Sequence, residues 1–268
     1  MPLCLLVRHG NSTANAEGVL SGRLPGIHLD QTGRDQVAAL ASRFRGLGVV
    51  RVVTSPLERC VETAEAVAEA LGGCAVDTDE GLVECGYGAW TGRALRDLAA
   101  EPLWRTVQDQ PSAARFPDHD GYAAEGLLEM GHRAVAAVRR LDAEVEAGHG
   151  PRALWVAVSH GDVIKAVLAD AAGSHVDHFQ RFRADPASVS VVHYTARRPF
   201  LVAANDTGSD LTRFVPPPPP AEDADGAGEQ GVPEGDAVVG GGSATGAVDA
   251  RGGGAAPGAA TDAAPPRG

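Results

Sequence analysis

The stretch Leu3-Cys4-Leu5-Leu6-Val7-Arg8-His9-Gly10 passes from five apolar residues straight into an arginine, a histidine and a glycine. A short unbroken apolar run reads as a strand buried on both faces, because a strand wet on one face alternates polar and apolar residues. Val49–Thr54, Ala153–Ser159, Ser188–Tyr194 and Phe200–Ala203 have the same Val- and Leu-rich character. Helical faces lie between them. Val37, Leu40, Ala41 and Phe44 fall at i, i+3, i+4 and i+7, and Cys60, Ala64, Val67, Ala68 and Leu71 share a second face. Ser55-Pro56-Leu57-Glu58 reads as the start of that second helix, with Ser55 as N-cap, Pro56 first in the helix and Glu58 three after the cap. Further helices are expected over 126–147 and 162–172. Strands interleaved with helices predict an α/β domain with a mostly parallel sheet.

In such sheets ligands bind beyond the carboxyl ends of the strands. Arg8 and His9 directly follow the first strand, Ser55 to Arg59 follow the second, and Ser159-His160-Gly161-Asp162 follow another. Two of these segments run into helix N-termini, whose free N–H groups and dipole favour an anion. Singly, each residue has an ordinary reading. A histidine after a strand is commonly a satisfied core or surface group, and Arg59 could pair with Glu58 or Glu62. Together, two histidines and two arginines at one sheet edge describe a dianion site, with phosphate the natural dianion.

Composition narrows the alternatives. Hydrophobic residues make up 44% of the 268 positions and aromatics only 4%, so Val, Ala and Leu must fill the core. The net charge of −12 excludes the basic excess of nucleic-acid binders. Cys4, Cys60, Cys74 and Cys85 show no CxxC spacing, so reduced thiols are expected. No apolar run of about 18 residues and no signal-like N-terminus occur, which predicts a cytoplasmic protein without a membrane partner. The remaining histidines show no metal-ligand spacing; His175-Val176-Asp177-His178, the nearest to one, reads as a helix-end surface pair. From Pro216 to Pro220 five prolines open a Gly-, Ala-, Pro- and Asp-rich stretch with eight acidic and two basic residues. We expect a domain over 1–215 and a disordered tail over 216–268, with the prolines as a polyproline II spacer.

Five ordered blocks carry a family resemblance. Leu6-Val7-Arg8-His9-Gly10-Asn11-Ser12-Thr13-Ala14-Asn15 resembles the signature of the histidine phosphatase superfamily, which includes the cofactor-dependent phosphoglycerate mutases. Ser21-Gly22-Arg23 through His28 to Arg34 resembles the loop and helix start that follow it. Ser55 to Ala64 resembles the second arginine block, Leu82 to Gly92 the acid-bearing loop, and Val158-Ser159-His160-Gly161 the second histidine. The resemblance spans residues 3–207, ending on Asn205-Asp206-Thr207. It implies a three-layer, doubly wound, phosphoglycerate mutase-like fold and a reaction without metal or cofactor. It also implies roles. His9 would be the phosphorylated nucleophile, and Arg8, Arg59 and His160 would hold the phosphoryl oxygens. Glu84 would be general acid and then base. Asn15, Ser21, Gly22, Tyr87 and Gly161 would contact a small-molecule phosphate ester.

Where relatives carry Gly-Glu-Ser before the long helix, this chain reads Ala124-Glu125-Gly126, and Glu125 has the alternative reading of a first-turn helix acid. Arg105, Arg115 and His119, in a segment expected to cover the site, are read as mostly facing water. Three functions are consistent with the residues. The leading one is a phosphatase that passes the phosphoryl group to water, favoured by the short span between Glu84 and Glu125. The second is a phosphoglycerate-type mutase, to which Tyr87 points. The third is a non-catalytic phospho-ligand binder, which the presence of His9, Glu84, both arginines and His160 disfavours.

Overall fold

Alternate residues of the first strand enter opposite apolar layers. Leu3, Leu5 and Val7 pack in one cluster, while Cys4 and Leu6 pack in the other. Side-chain direction alternates along a strand, so an unbroken apolar run is what a strand sandwiched between two layers requires.

The computed structural model describes residues 1–215; the expected tail, pentaproline included, lies outside the described residues. The chain runs β1 (Leu3–Arg8), α1 (Thr13–Glu17), α2 (Gln31–Ser42), β2 (Val49–Thr54), α3 (Glu58–Ala70) and β3 (Val76–Thr78). There follow α4 (Leu95–Leu98), α5 (Pro102–Asp109), α6 (Leu127–His149), β4 (Leu154–Ser159), α7 (Gly161–Ala171), β5 (Val189–Tyr194) and β6 (Pro199–Asp206). Among the described residues the six strands form one sheet in the order β3-β2-β4-β1-β5-β6. The first four neighbours are parallel, β5 runs antiparallel to β1, and β6 runs antiparallel to β5. Leu40 of α2, Phe44 just past its end, and Cys60, Ala64 and Val67 of α3 cover one face; Met130, Ala134, Val138, Val163 and Val167 of α6 and α7 cover the other. The result is the expected α/β, three-layer, mostly parallel architecture.

Several local expectations change. Helix α3 has Leu57 as its N-cap with no side-chain cap, rather than Ser55 and Pro56 at its start. Ser55 is fully buried and turned to another partner, described below. Strand β6, at the edge of the sheet, is half-buried along most of its length rather than covered on both faces. Glu125 precedes the Gly126 N-cap of α6, and the acid of that first turn is Glu129. All four cysteines are free thiols, as expected. No helix of the described residues is long and apolar enough to cross a membrane.

Candidate active site

The β1–β4 register sets Arg8 beside Ser159, and the β2–β4 register sets Thr54 beside Val158. Residues one step further along each strand therefore emerge together. His9 and His160 meet edge-to-face, ring centroids 5.2 Å apart. Ser55 Oγ lies 2.8 Å from His160 Nε2.

Hydrogen bonding defines the state of His9. Its Nδ1 lies 2.7 Å from the Gly10 carbonyl, which can only accept, so Nδ1 carries the proton and Nε2 keeps its lone pair. Arg59 Nε donates to that Nε2 at 3.3 Å. Burial lowers the His9 pKa well below the ordinary histidine range, and the Arg59 and Arg8 charges lower it further. A neutral imidazole with a free lone pair is a nucleophile. His160 is neutral for the same reasons: burial first, then Arg59. Arg59 Nη2 donates to His160 Nδ1 at 3.1 Å and to the Gly22 carbonyl at 2.9 Å. His160 thus meets Arg59 and Ser55.

Two buried guanidinium nitrogens have no hydrogen-bond partner among the described residues: Arg8 Nε and Arg59 Nη1. An unsatisfied buried donor on a charged group is costly, and an anion between the two arginines would satisfy both. Arg8 is held from behind, its Nη1 donating to the Ala184 carbonyl at 2.7 Å. That loop is in turn tied by Asn205, whose Oδ1 accepts from the Asp185 N–H at 2.6 Å. A Cβ on Gly161 would stand 3.4 Å from the Arg8 guanidinium, in van der Waals contact with it. Gly22 has φ of +52°, and a Cβ there would sit 2.9 Å from Tyr87 Cδ2, so only glycine suits the turn that presents its carbonyl to Arg59.

Glu84 is buried, with Oε1 accepting the Cys85 N–H at 2.9 Å. Burial and the Asp162 charge raise its pKa to about 7, against the opposing pull of Cys85 N–H, Arg59 and Arg8. Its backbone is clamped from two sides. Arg23 Nε donates to the Glu84 carbonyl at 2.7 Å, and Arg133 Nη1 donates to the Gly81 and Val83 carbonyls at 2.9 and 3.0 Å. Glu125 binds both arginines and accepts the Gly86 N–H at 2.9 Å. Tyr87 OH donates to Asp162 Oδ2 at 2.9 Å.

These groups border a cavity of about 340 Å³ lined by Arg8, His9, Asn15, Ser21, Gly22 and Arg59, with Glu84, Tyr87 and Gly161. Nine of the ten sequence-read site residues therefore line one cavity; the tenth, His160, lies fully buried behind Arg59. Asn15 Oδ1 is taken by the Ser12 N–H and hydroxyl in a capping box that starts α1. Arg105, Arg115 and His119 are exposed, and Arg115 pairs with Glu129. Sequence reading missed Asp162, Lys165, Gln180 and Trp104 in the lining. Lys165, as the single lysine of the chain, was the one signal available. Among the described residues no group of three or more His, Cys, Asp or Glu side chains could hold a metal ion.

Fold and site together define an α/β protein with a strand-edge anion site, a neutral histidine and a poised carboxylic acid. The chain belongs to the histidine phosphatase superfamily, branch 1, which matches residues 4–207. It is similar to the probable phosphoglycerate mutase GpmB of Klebsiella pneumoniae, 32% identical over 217 residues, which cover 79% of this chain and 94% of that protein. It is 47% identical over 79 residues to the uncharacterized protein Rv0525 of Mycobacterium tuberculosis, spanning 30% of this chain and only 38% of that relative's length. Among solved structures it resembles a mycobacterial glucosyl-3-phosphoglycerate phosphatase complexed with VO3, with TM-score 0.66, 25% identity and coverage of 76% of this chain and 99% of that one.

Proposed function

We propose that the protein is a phosphomonoesterase that moves the phosphoryl group of a small-molecule ester to His9 and then to water. The observation that carries this reading is the pair of unsatisfied buried nitrogens, Arg8 Nε and Arg59 Nη1, beside the His9 lone pair. The phosphoryl oxygens sit between the two guanidinium groups, which offset their charge as it spreads in the transition state. His160 braces Arg59 from behind. His9 Nε2 attacks phosphorus in line with the ester oxygen, the N–P bond forms and the P–O bond breaks. Glu84 gives its proton to the departing alkoxide. A water then enters, Glu84 takes one of its protons, the oxygen attacks phosphorus and the N–P bond breaks.

The catalytic charge is supplied by side chains of the chain itself, so turnover should survive chelators. The direct test is hydrolysis of p-nitrophenyl phosphate by the wild type and by His9→Ala. Loss of turnover and of acid-labile, base-stable phosphoenzyme in the variant supports the reading; undiminished turnover overturns it. Binding of a phosphate ester with no turnover even in the wild type would favour a binder. The similarity to a probable phosphoglycerate mutase along 94% of its length favours a mutase as the second reading. Phosphoenzyme isolated and chased with water or with phosphoglycerate separates the two, since discharge to the sugar acid alone would favour the mutase.

A further inference from the structure

Beyond the phosphate floor the cavity has two unlike walls. One is apolar, formed by Leu20, Leu95, Trp104 and Val107. Leu95 is 39% exposed at the rim, and Trp104 stacks on Trp90 with centroids 6.3 Å apart. The polar part of the lining carries Lys165, Asp162 and Gln180. Lys165 Nζ donates to Asp162 Oδ1 at 3.2 Å and to Gln180 Oε1 at 3.1 Å, and it lies 5.7 Å from the centre of the Phe179 ring. Asp162 and Lys165 stand at i and i+3 on the first turn of α7, so their pairing is built into the helix.

The lining contains three lysine or arginine side chains: Arg8, Arg59 and Lys165. A phosphate dianion balances the first two. Lys165 is the cation left for a second anionic group on the substrate, and it already has a carboxylate of its own. Burial pushes the Asp162 carboxyl up, but Lys165 and the Tyr87 hydroxyl bring it below the ordinary aspartate range, so it stays ionised. A substrate carboxylate approaching Lys165 would meet that like charge, whereas an uncharged apolar group would find the Leu95 and Trp104 surface.

We infer that Asp162 is a specificity-determining residue which, by occupying Lys165, closes the outer cavity to a second anion and reserves it for phosphate esters of uncharged alcohols with apolar bulk. The inference rests on the phosphomonoesterase reading. It sets this chain apart from enzymes of sugar acids, whose substrates carry a carboxylate beside the phosphate.

The test compares kcat/KM for 2-phenylethyl phosphate, glycerol 3-phosphate and 3-phosphoglycerate, using the full chain, Asp162→Asn, Lys165→Met and Leu95→Ser. All three esters leave as alkoxides, so ratios between them cancel any change in Glu84. The wild type should prefer 2-phenylethyl phosphate and take 3-phosphoglycerate worst. Asp162→Asn should raise the ratio of 3-phosphoglycerate to glycerol 3-phosphate by about tenfold or more, since it removes a like charge facing the substrate carboxylate. Lys165→Met should lower that ratio, and Leu95→Ser should weaken 2-phenylethyl phosphate alone. A wild type that prefers 3-phosphoglycerate, or a ratio unmoved in both charge variants, overturns the inference and leaves the phosphatase reading intact. If Asp162→Asn does not fold, the wild-type order of the three esters decides. No turnover of these esters or of p-nitrophenyl phosphate by the wild type would overturn the underlying reading instead.

Discussion

An acid that protonates an alkoxide near neutral pH must still hold its proton there, which a solvated glutamate does not. Glu84 does so because burial and the neighbouring Asp162 charge lift its pKa to about 7. The sign is direct: the protonated form that the proposed reaction needs is present below that value and lost above it. kcat/KM on an alkyl phosphate should therefore fall as pH rises past about 7, a profile measured by steady-state kinetics at fixed ionic strength. Glu84→Gln should lose about 10²- to 10⁴-fold on alkyl phosphates. It should lose far less on p-nitrophenyl phosphate, whose leaving group needs little protonation; equal losses on both would remove Glu84 from the acid role. His9, Arg8 and Arg59 were legible in the sequence because their places at strand ends follow from apolar runs that end abruptly. The charge that tunes Glu84 was not legible, since it comes from a residue 78 positions away in the chain (162 minus 84) that only packing brings near. The burial of His160 behind Arg59 was hidden for the same reason.

At the scale of elements, long periodic segments were readable and short ones were not. Helices α2, α3, α6 and α7 and strands β1, β2, β4 and β5 follow from apolar periodicity, whereas β3, with three residues, and α1, with five, are too short to leave a period. The Ser55-Pro56 start of α3 was misread because Ser55 Oγ pairs closely with His160 and accepts only the Leu57 N–H, at 3.4 Å, ahead of the helix. Helix α6 has a role its amphipathic pattern does not disclose. Arg133 on it holds the carbonyls of Gly81 and Val83, and Glu125 just before it ties Arg23 and Gly86, so the helix fixes the segment that aims Glu84. Burial pushes the Glu125 carboxyl up, but the Arg133 bond, the Gly86 N–H and the Arg23 charge bring it below the ordinary range, so this clip stays charged through neutral pH. Arg133→Met should cut kcat on an alkyl phosphate about tenfold with smaller loss on p-nitrophenyl phosphate, because a misplaced acid matters only where protonation limits the rate. It should also lower stability by about 1–3 kcal/mol as buried acceptors lose their donor. A uniform loss on both esters would point to general loosening of the fold instead.

The molecule as a whole carries a second raised carboxyl with no part in the reaction. Asp142 on α6 is fully buried, accepts Trp155 Nε1 at 2.9 Å through Oδ1 and leaves Oδ2 without a partner among the described residues. Burial raises its pKa from the ordinary 3.8 to about 7 against the pull of that bond. A folded-state pKa above the unfolded one means that the native state holds the proton more tightly. Its contribution is fully present below about pH 4 and is lost as pH rises to about 7. The difference corresponds to at most about 4 kcal/mol. Asp142→Asn keeps the acceptor for Trp155 and should be more stable than the wild type at pH 8, with the gain shrinking toward pH 4; denaturant unfolding at the two pH values measures it. The sheet order has a consequence in time as well as in space. Among the described residues, strand β1, which carries Arg8 and leads into His9, pairs only with β4 and β5, which begin at Leu154 and Val189. As the chain leaves the ribosome, β1 must wait for most of the domain to be synthesised before it has a neighbour. Until then the apolar run Leu3–Val7 is an unpaired strand, open to association with other chains or to capture by a chaperone. His9 is thus made well before the strands that hold β1 in place.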